Sequence, residues 1–238
     1  MVKSFMICKV ESFETNGFYK NKQLSLFSEK LTNKNISSKN SNELPPETGE
    51  IELKITPTSD FVLNHYKVYE CNFDVKRNKI GIVYGLTFHS YLEPTNFKIY
   101  YSQKDQLCII QSKSDIALSF IKELNKTPMF DLTPLEIKFE HIMSKVDEIS
   151  GAWIAGLKGR HLNATGLFGV NVHKSPEYQD ASSKGELSLI IIKYDNPVDQ
   201  KEYSVGISHK GSIILYNKLE TLQHELEFIY RIYNDLLK

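Results

Sequence analysis

Three cysteines among 238 residues are too few and too scattered to cross-link this chain: Cys8, Cys71 and Cys108 are odd in number, far apart and without Cys-x-x-Cys spacing. Such usage argues against a disulfide framework and fits reduced, mostly buried thiols in a cytoplasmic protein. Long apolar runs are missing as well. No stretch reaches the roughly 18 residues that a membrane-spanning helix needs. The opening MVKSFMICKVESFETNGF places Lys3, Lys9 and Glu11 where a secretory signal would carry its apolar core. The expectation is a soluble chain with no membrane partner. Nor is charge of either sign in excess: Lys plus Arg and Asp plus Glu each total 29, a formal net charge of zero. A dedicated nucleic-acid binder usually carries a global basic footprint, so a neutral chain leaves only a local basic face for that purpose.

What is present is ordinary globular material. The chain is 41% hydrophobic and 24% charged, enough for a packed core and unlike the polar composition of disorder. Its length suits one large domain or two small ones. Residues 28–50, SEKLTNKNISSKNSNELPPETGE, form the clearest composition shift. Their Asn, Ser, Lys and Glu content and the Pro45-Pro46 pair predict a mobile surface loop, or a tail ordered by a partner.

Strands rich in β-branched and aromatic residues are predicted at 51–56, 65–75 and 79–92, followed by NFKIYY and QLCIIQS around an SQKD turn. SDIALSFIKELNKT predicts a helix capped by Ser114 or Asp115, with Ile116, Ala117, Phe120, Ile121 and Leu124 on one face. Residues 133–148 predict another, with Thr133 as cap and Pro134 at its first position. Strand patterns resume with GAWIAGL, LFGVNVH, ELSLIIIKYD, EYSVGIS and SIILYN, the segment KSPEYQDASSKG reading as a polar connection. A final helix runs from about Leu219.

Two stretches share one layout. FKIYYSQKDQLCIIQSKSDIALSFIKEL and YSVGISHKGSIILYNKLETLQHELEFIY each give an apolar strand, a polar turn, a second strand, a lysine (Lys113 or Lys218) and a helix. The pattern predicts an α+β protein of two similar halves, 1–127 and 128–238, forming one curved antiparallel sheet with helices on one face. The alternative is that any hairpin feeding a helix gives this layout.

The second unit, YSVGISHKGSIILYN-K followed by EFIYRIYNDL, resembles the closing strands and helix of each repeat in the TATA-box-binding protein family. There a Ser-Gly-Lys turn and a Thr-Gly-Ala-Lys segment precede a long convex helix. The resemblance implies a TATA-binding-protein-like fold with an open sheet face as its binding surface. The kinking phenylalanine of that family falls on Tyr100 and Ile207, and its Gly-Ala before the lysine becomes Gln111-Ser112 and Tyr216-Asn217. The wedge chemistry of minor-groove kinking is therefore incomplete. In the family's register Tyr100, Cys108, Ile110, Ile207, Ile213 and Leu215 would share the open face, a surface for protein or nucleic acid unless further elements cover it.

The richest local cluster is GLKGRHLNATGLFG, residues 156–169. Lys158, Arg160 and His161 share a Gly-punctuated connection between strands, where amides and cations could hold a phosphate, or where charges are simply solvated. No P-loop spacing is present. His89-Ser90 and His173-Lys174-Ser175 are similar to the paired histidine–hydroxyl motifs of two-histidine phosphoesterases, but only the second has the His-x-Ser spacing. His224-Glu225 begins like a zinc-protease motif, yet Phe228 stands where the second histidine belongs. No catalytic residue, metal or cofactor is assigned. The expected function is a non-catalytic binding module that takes nucleic acid through the open sheet face and the 156–169 loop. A protein–protein interaction or scaffold subunit of an intracellular complex is the alternative, and a small phosphoesterase-like enzyme the third reading.

Overall fold

The computed structural model describes residues 2–14, 19–21, 52–83, 86–158 and 161–238, so the predicted 28–50 loop lies outside the described residues. The run FMIC near the start is apolar without alternation, and it forms the middle of the central strand: Phe5, Met6, Ile7 and Cys8 are all 1% exposed or less. A strand covered on both faces reads as a continuous apolar run. This strand, β1 (Lys3–Phe13), pairs antiparallel with β8 (Leu107–Gln111) along one edge. Along the other it pairs first with β14 (Ser212–Leu215) and then with β9 (Phe130–Pro134).

Two antiparallel arms spread from β1. The first continues from β8 through β7 (Tyr91–Ser102), β4 (Tyr66–Arg77) and β3 (Leu53–Val62) to β2 (Tyr19–Asn21). The second runs from β14 through β13 (Lys201–Ser208), β12 (Glu186–Asn196) and β10 (Ile149–Ala155) to β11 (Ala164–Phe168) at its edge. A separate hairpin holds β5 (Gly81–Val83) and β6 (Leu86–Phe88), so the strand predicted over 79–92 is divided between these two and the start of β7. The molecule is thus an α+β protein built on one large antiparallel sheet.

The α-helices among the described residues are α1 (Ser114–Leu124), α2 (Phe139–Met143), α3 (Pro176–Lys184) and α4 (Leu222–Ile232), the last continuing as a π-turn through Leu237. The helix predicted over 133–148 shrinks to α2, because Phe130 and Leu132 alternate inward on β9 and pair with β1. Pro134 ends that strand, a position that needs no ladder donor. The segment KSPEYQDASSKG contains α3, capped by Ser175 Oγ accepting from Tyr178 N at 3.1 Å. Only Ala181 of α3 is buried, so it offered no apolar stripe to recognise.

The helices-on-one-face expectation is corrected. On β1, Phe5 and Ile7 face a core completed by Leu226, Phe228, Ile229 and Ile232 of α4, whereas Met6 and Cys8 face one completed by Ile116, Ala117, Phe120, Ile121 and Leu124 of α1. The two long helices cover opposite faces. The topology explains why: β8 and β14 both run antiparallel to β1 and hence parallel to each other. An axis lying along β1 relates such arms and exchanges the two faces, while helices on one face would need an axis perpendicular to the sheet.

Turn chemistry locks the middle of the sheet. Gly211 sits between β13 and β14 with φ +77°, and a Cβ there would lie 2.6 Å from Leu135 O. Its N–H is bonded to Ser208 O, and its own carbonyl accepts from Ile7 N at 3.0 Å. Gly211→Ala is expected to cost about 2 kcal/mol or more, since backbone strain and a backbone clash coincide. A urea denaturation midpoint unchanged from wild type would contradict this account.

Candidate nucleic-acid interface

Because the helices lie on opposite faces, the outer strands of each arm keep one face on which no described helix lies. On the first arm that face is polar: Glu70 stands beside Lys98 at 4.0 Å, and Asn72 donates to Asn96. On the second arm it is apolar. Trp153 and Phe168 are 46% and 69% exposed and Tyr216 is 39% exposed, with half-buried Leu189, Ile191 and Ile214 between them. Isolated exposed apolar residues are commonplace; here three aromatic rings are gathered on one sheet face.

Glycines let these side chains lie down. Trp153 is directly opposite Gly166 in the β10–β11 ladder, and a Cβ on Gly166 would meet the six-membered ring of Trp153 at 2.6 Å. Ile191 lies against Gly151, and the Tyr216 ring against Gly206, in the same way. The outcome is a shallow open depression lined by Trp153, Phe168, Leu189, Ile191 and Tyr216, with Ser188 and Ser208 at its polar margin. Ser188 Oγ donates to Trp153 O at 2.9 Å, which fastens β12 to β10 beneath the ring.

At one end of this face the β10–β11 and β13–β14 turns carry exposed Lys158, His161, His209 and Lys210. The Lys158 amide donates to Lys184 O at 3.1 Å, tying the first turn to the end of α3. Arg160 lies outside the described residues. The arrangement places cations beside an aromatic floor, which suits a flat π-face linked to a phosphate; a largely enclosed metabolite pocket would bury its ligand instead.

The six residues expected on the open face are all in the core. Tyr100, Cys108, Ile110, Ile207 and Ile213 are 0% exposed and Leu215 is 2% exposed. They do not share a face: Tyr100, Ile207, Ile213 and Leu215 pack toward α4, while Cys108 and Ile110 pack toward α1. The expectation failed because the strands nearest β1 are covered on both sides. The uncovered residues lie further out, on β10, β11 and β12 and just after β14. Their sequence signal was an aromatic or aliphatic residue placed to face a glycine across the ladder, as in GAWIAGL and NATGLFG.

Cys8, Cys71 and Cys108 are free and buried, and burial pushes the Cys8 thiol up to about 12, so none is a ready nucleophile. His89 is exposed. Burial, with Lys174 nearby, holds His173 below its usual value, and Ser175 serves as the α3 cap. Among the described residues no group of three or more His, Cys, Asp or Glu side chains is arranged to hold a metal ion. Nor is any helix among them long and apolar enough to cross a membrane.

A polar tie joins the first arm to α4. His65 Nε2 lies 2.7 Å from Asp105 Oδ2, and Tyr230 Oη donates to the same oxygen at 3.3 Å. Burial alone would raise the Asp105 carboxyl, but hydrogen bonds from its neighbours, His65 first, hold it below its ordinary 3.8. A lowered folded-state value contributes stability that is present above 3.8 and lost as pH falls through the lowered value. Asp105→Asn should therefore cost about 1–2 kcal/mol near neutral pH, and the gap from wild type should close in acid. Urea midpoints across a pH series measure this; a gap independent of pH would exclude the linkage.

No family model and no curated protein sequence matches the chain.

Proposed function

We propose that this chain is a non-catalytic module that binds single-stranded nucleic acid on the open face of its second arm. The observation that carries the reading is the exposure of Trp153, Phe168 and Tyr216 on one uncovered antiparallel sheet face. Sheet-borne aromatic rings bind unpaired bases by stacking, a contact available to every base because each has a π-face. Lys158, His161, His209 and Lys210 lie where the adjoining phosphates would pass, with Arg160 in the same loop by sequence. The zero net charge sets the scale: without a global basic field, affinity rests on stacking and a few cations, and falls in the micromolar range or weaker.

The same reading takes 1–127 and 128–238 as two similar α+β halves whose outermost strands differ in order, β3–β2 against β10–β11, and among the described residues the second half carries the apolar floor. A protein-interaction or scaffold role competes for the same patch, since apolar sheet faces also receive protein partners.

The chain contains one tryptophan, Trp153, so its intrinsic fluorescence reports on the site directly. Titration with a homopolymeric single-stranded oligonucleotide should quench that emission and give a salt slope of about −2, from three phosphates at about −0.7 each. A matching duplex should quench less. Absence of quenching at low salt would refute the nucleic-acid reading and leave a protein partner as the occupant.

A further inference from the structure

We infer that two copies of this chain pair edge to edge through β11, extending the sheet across a two-fold axis at Gly166. Natural sheets guard an edge strand with charge, proline, a bulge or a covering element. β11, Ala-Thr-Gly-Leu-Phe, has neither charge nor proline, and it forms an uninterrupted ladder with β10. It ends the twelve-stranded sheet with β10 as its only neighbouring strand among those described. Exposed Leu162, Phe168 and Val170, at 62%, 69% and 77%, lie along or beside it.

The ladder identifies which groups point outward. Gly169 N donates to Ser150 O, in the same register that sets Phe168 opposite Gly151 and Leu167 opposite Ala152. Antiparallel pairs alternate between bonded and non-bonded, so Thr165 and Leu167 spend their backbone groups on β10, while Ala164, Gly166 and Phe168 direct theirs away from the sheet. This row is self-complementary. A second copy run antiparallel about Gly166 sets Gly166 against Gly166 and Ala164 against Phe168, satisfying all three outward N–H groups and all three outward carbonyls of each strand. The exposed Phe168 ring then covers the small Ala164 of the second copy. A two-fold perpendicular to the sheet preserves its faces, so the two Trp153 floors become neighbours on one continuous surface. Such an isologous contact closes at a dimer instead of growing into a filament.

Sedimentation equilibrium of the full chain over a roughly hundredfold concentration range tests this through mass action. A monomer–dimer equilibrium is expected, with the Ala164, Gly166 and Phe168 amides exchanging more slowly with deuterium as concentration rises. Phe168→Lys occurs twice in the interface and should weaken dimerisation by about a hundredfold, at about tenfold for each copy. The amide measurement on the wild-type chain stands even if that variant folds poorly. A monomer throughout, a dimer indifferent to Phe168→Lys, or concentration-independent exchange at Gly166 would each overturn the proposal. None of these readouts depends on nucleic acid, so the edge pairing and the proposed function fail separately.

Discussion

Trp153→Ala is expected to weaken binding of a dye-labelled single-stranded oligonucleotide by roughly 5- to 150-fold, corresponding to about 1–3 kcal/mol for one stacked base. The expectation follows from its place: the ring lies across Gly166 at the centre of the uncovered face and is half exposed. Truncating it removes a stacking partner while leaving the buried faces of β10 and β12 intact, so the thermal unfolding transition should change little. The salt slope should also survive, because no cation is lost. Lys158→Ala combined with Arg160→Ala should do the opposite, flattening the slope by about 1.4 units at about 0.7 per phosphate contact with only a modest loss at low salt. Anisotropy titrations at two salt concentrations separate these effects. Equal binding by wild type and Trp153→Ala would show that nucleic acid, if bound, lies elsewhere.

Lys3→Met should destabilise the fold by about 3–5 kcal/mol, because it leaves a buried carboxylate without its partner. Lys3 Nζ lies 2.7 and 2.6 Å from the two carboxylate oxygens of Glu225, and the Glu225 side chain is only 2% exposed. The pair bridges the start of the central strand and the first turn of α4, which holds the helix over the sheet. The large effect belongs to the orphaned charge and not to the pair. Lys3→Met with Glu225→Met should therefore recover most of the loss, since an apolar replacement of a buried ion pair is often neutral or better. Urea denaturation of the single and double variants measures the coupling. Additive losses would show that Lys3 acts independently of Glu225.

Much of the local structure is legible in the residues themselves. The two hairpin–helix units stand where alternation and helical spacing placed them, β7–β8–α1 and β13–β14–α4, because turn residues and apolar periodicity are local properties. The three cysteines are indeed buried thiols. β1 escaped notice because a strand buried on both faces shows no alternation, and α3 because a helix with one buried residue shows no stripe. Thr133-Pro134 carries a genuine helix-start signal, overridden where Leu132 and Phe130 found a place beside β1.

The sequence by itself determined which residues are strand-like and apolar; the facing set drawn from the resemblance held for Ile207, Ile213 and Leu215 but failed for Tyr100 against Cys108 and Ile110, which lie on opposite faces. The residues alone could not determine which face would be covered. Period-two patterning separates the two sides of a strand but does not name the side that receives a helix. That choice was made by long-range pairing: β8 and β14 both dock antiparallel on β1, the arms exchange faces, and α1 and α4 land on opposite sides. The interior strands then lose both faces to packing. The second arm keeps one apolar face open, and Trp153, Phe168 and Tyr216 are surface residues because no helix among the described residues returns to cover them.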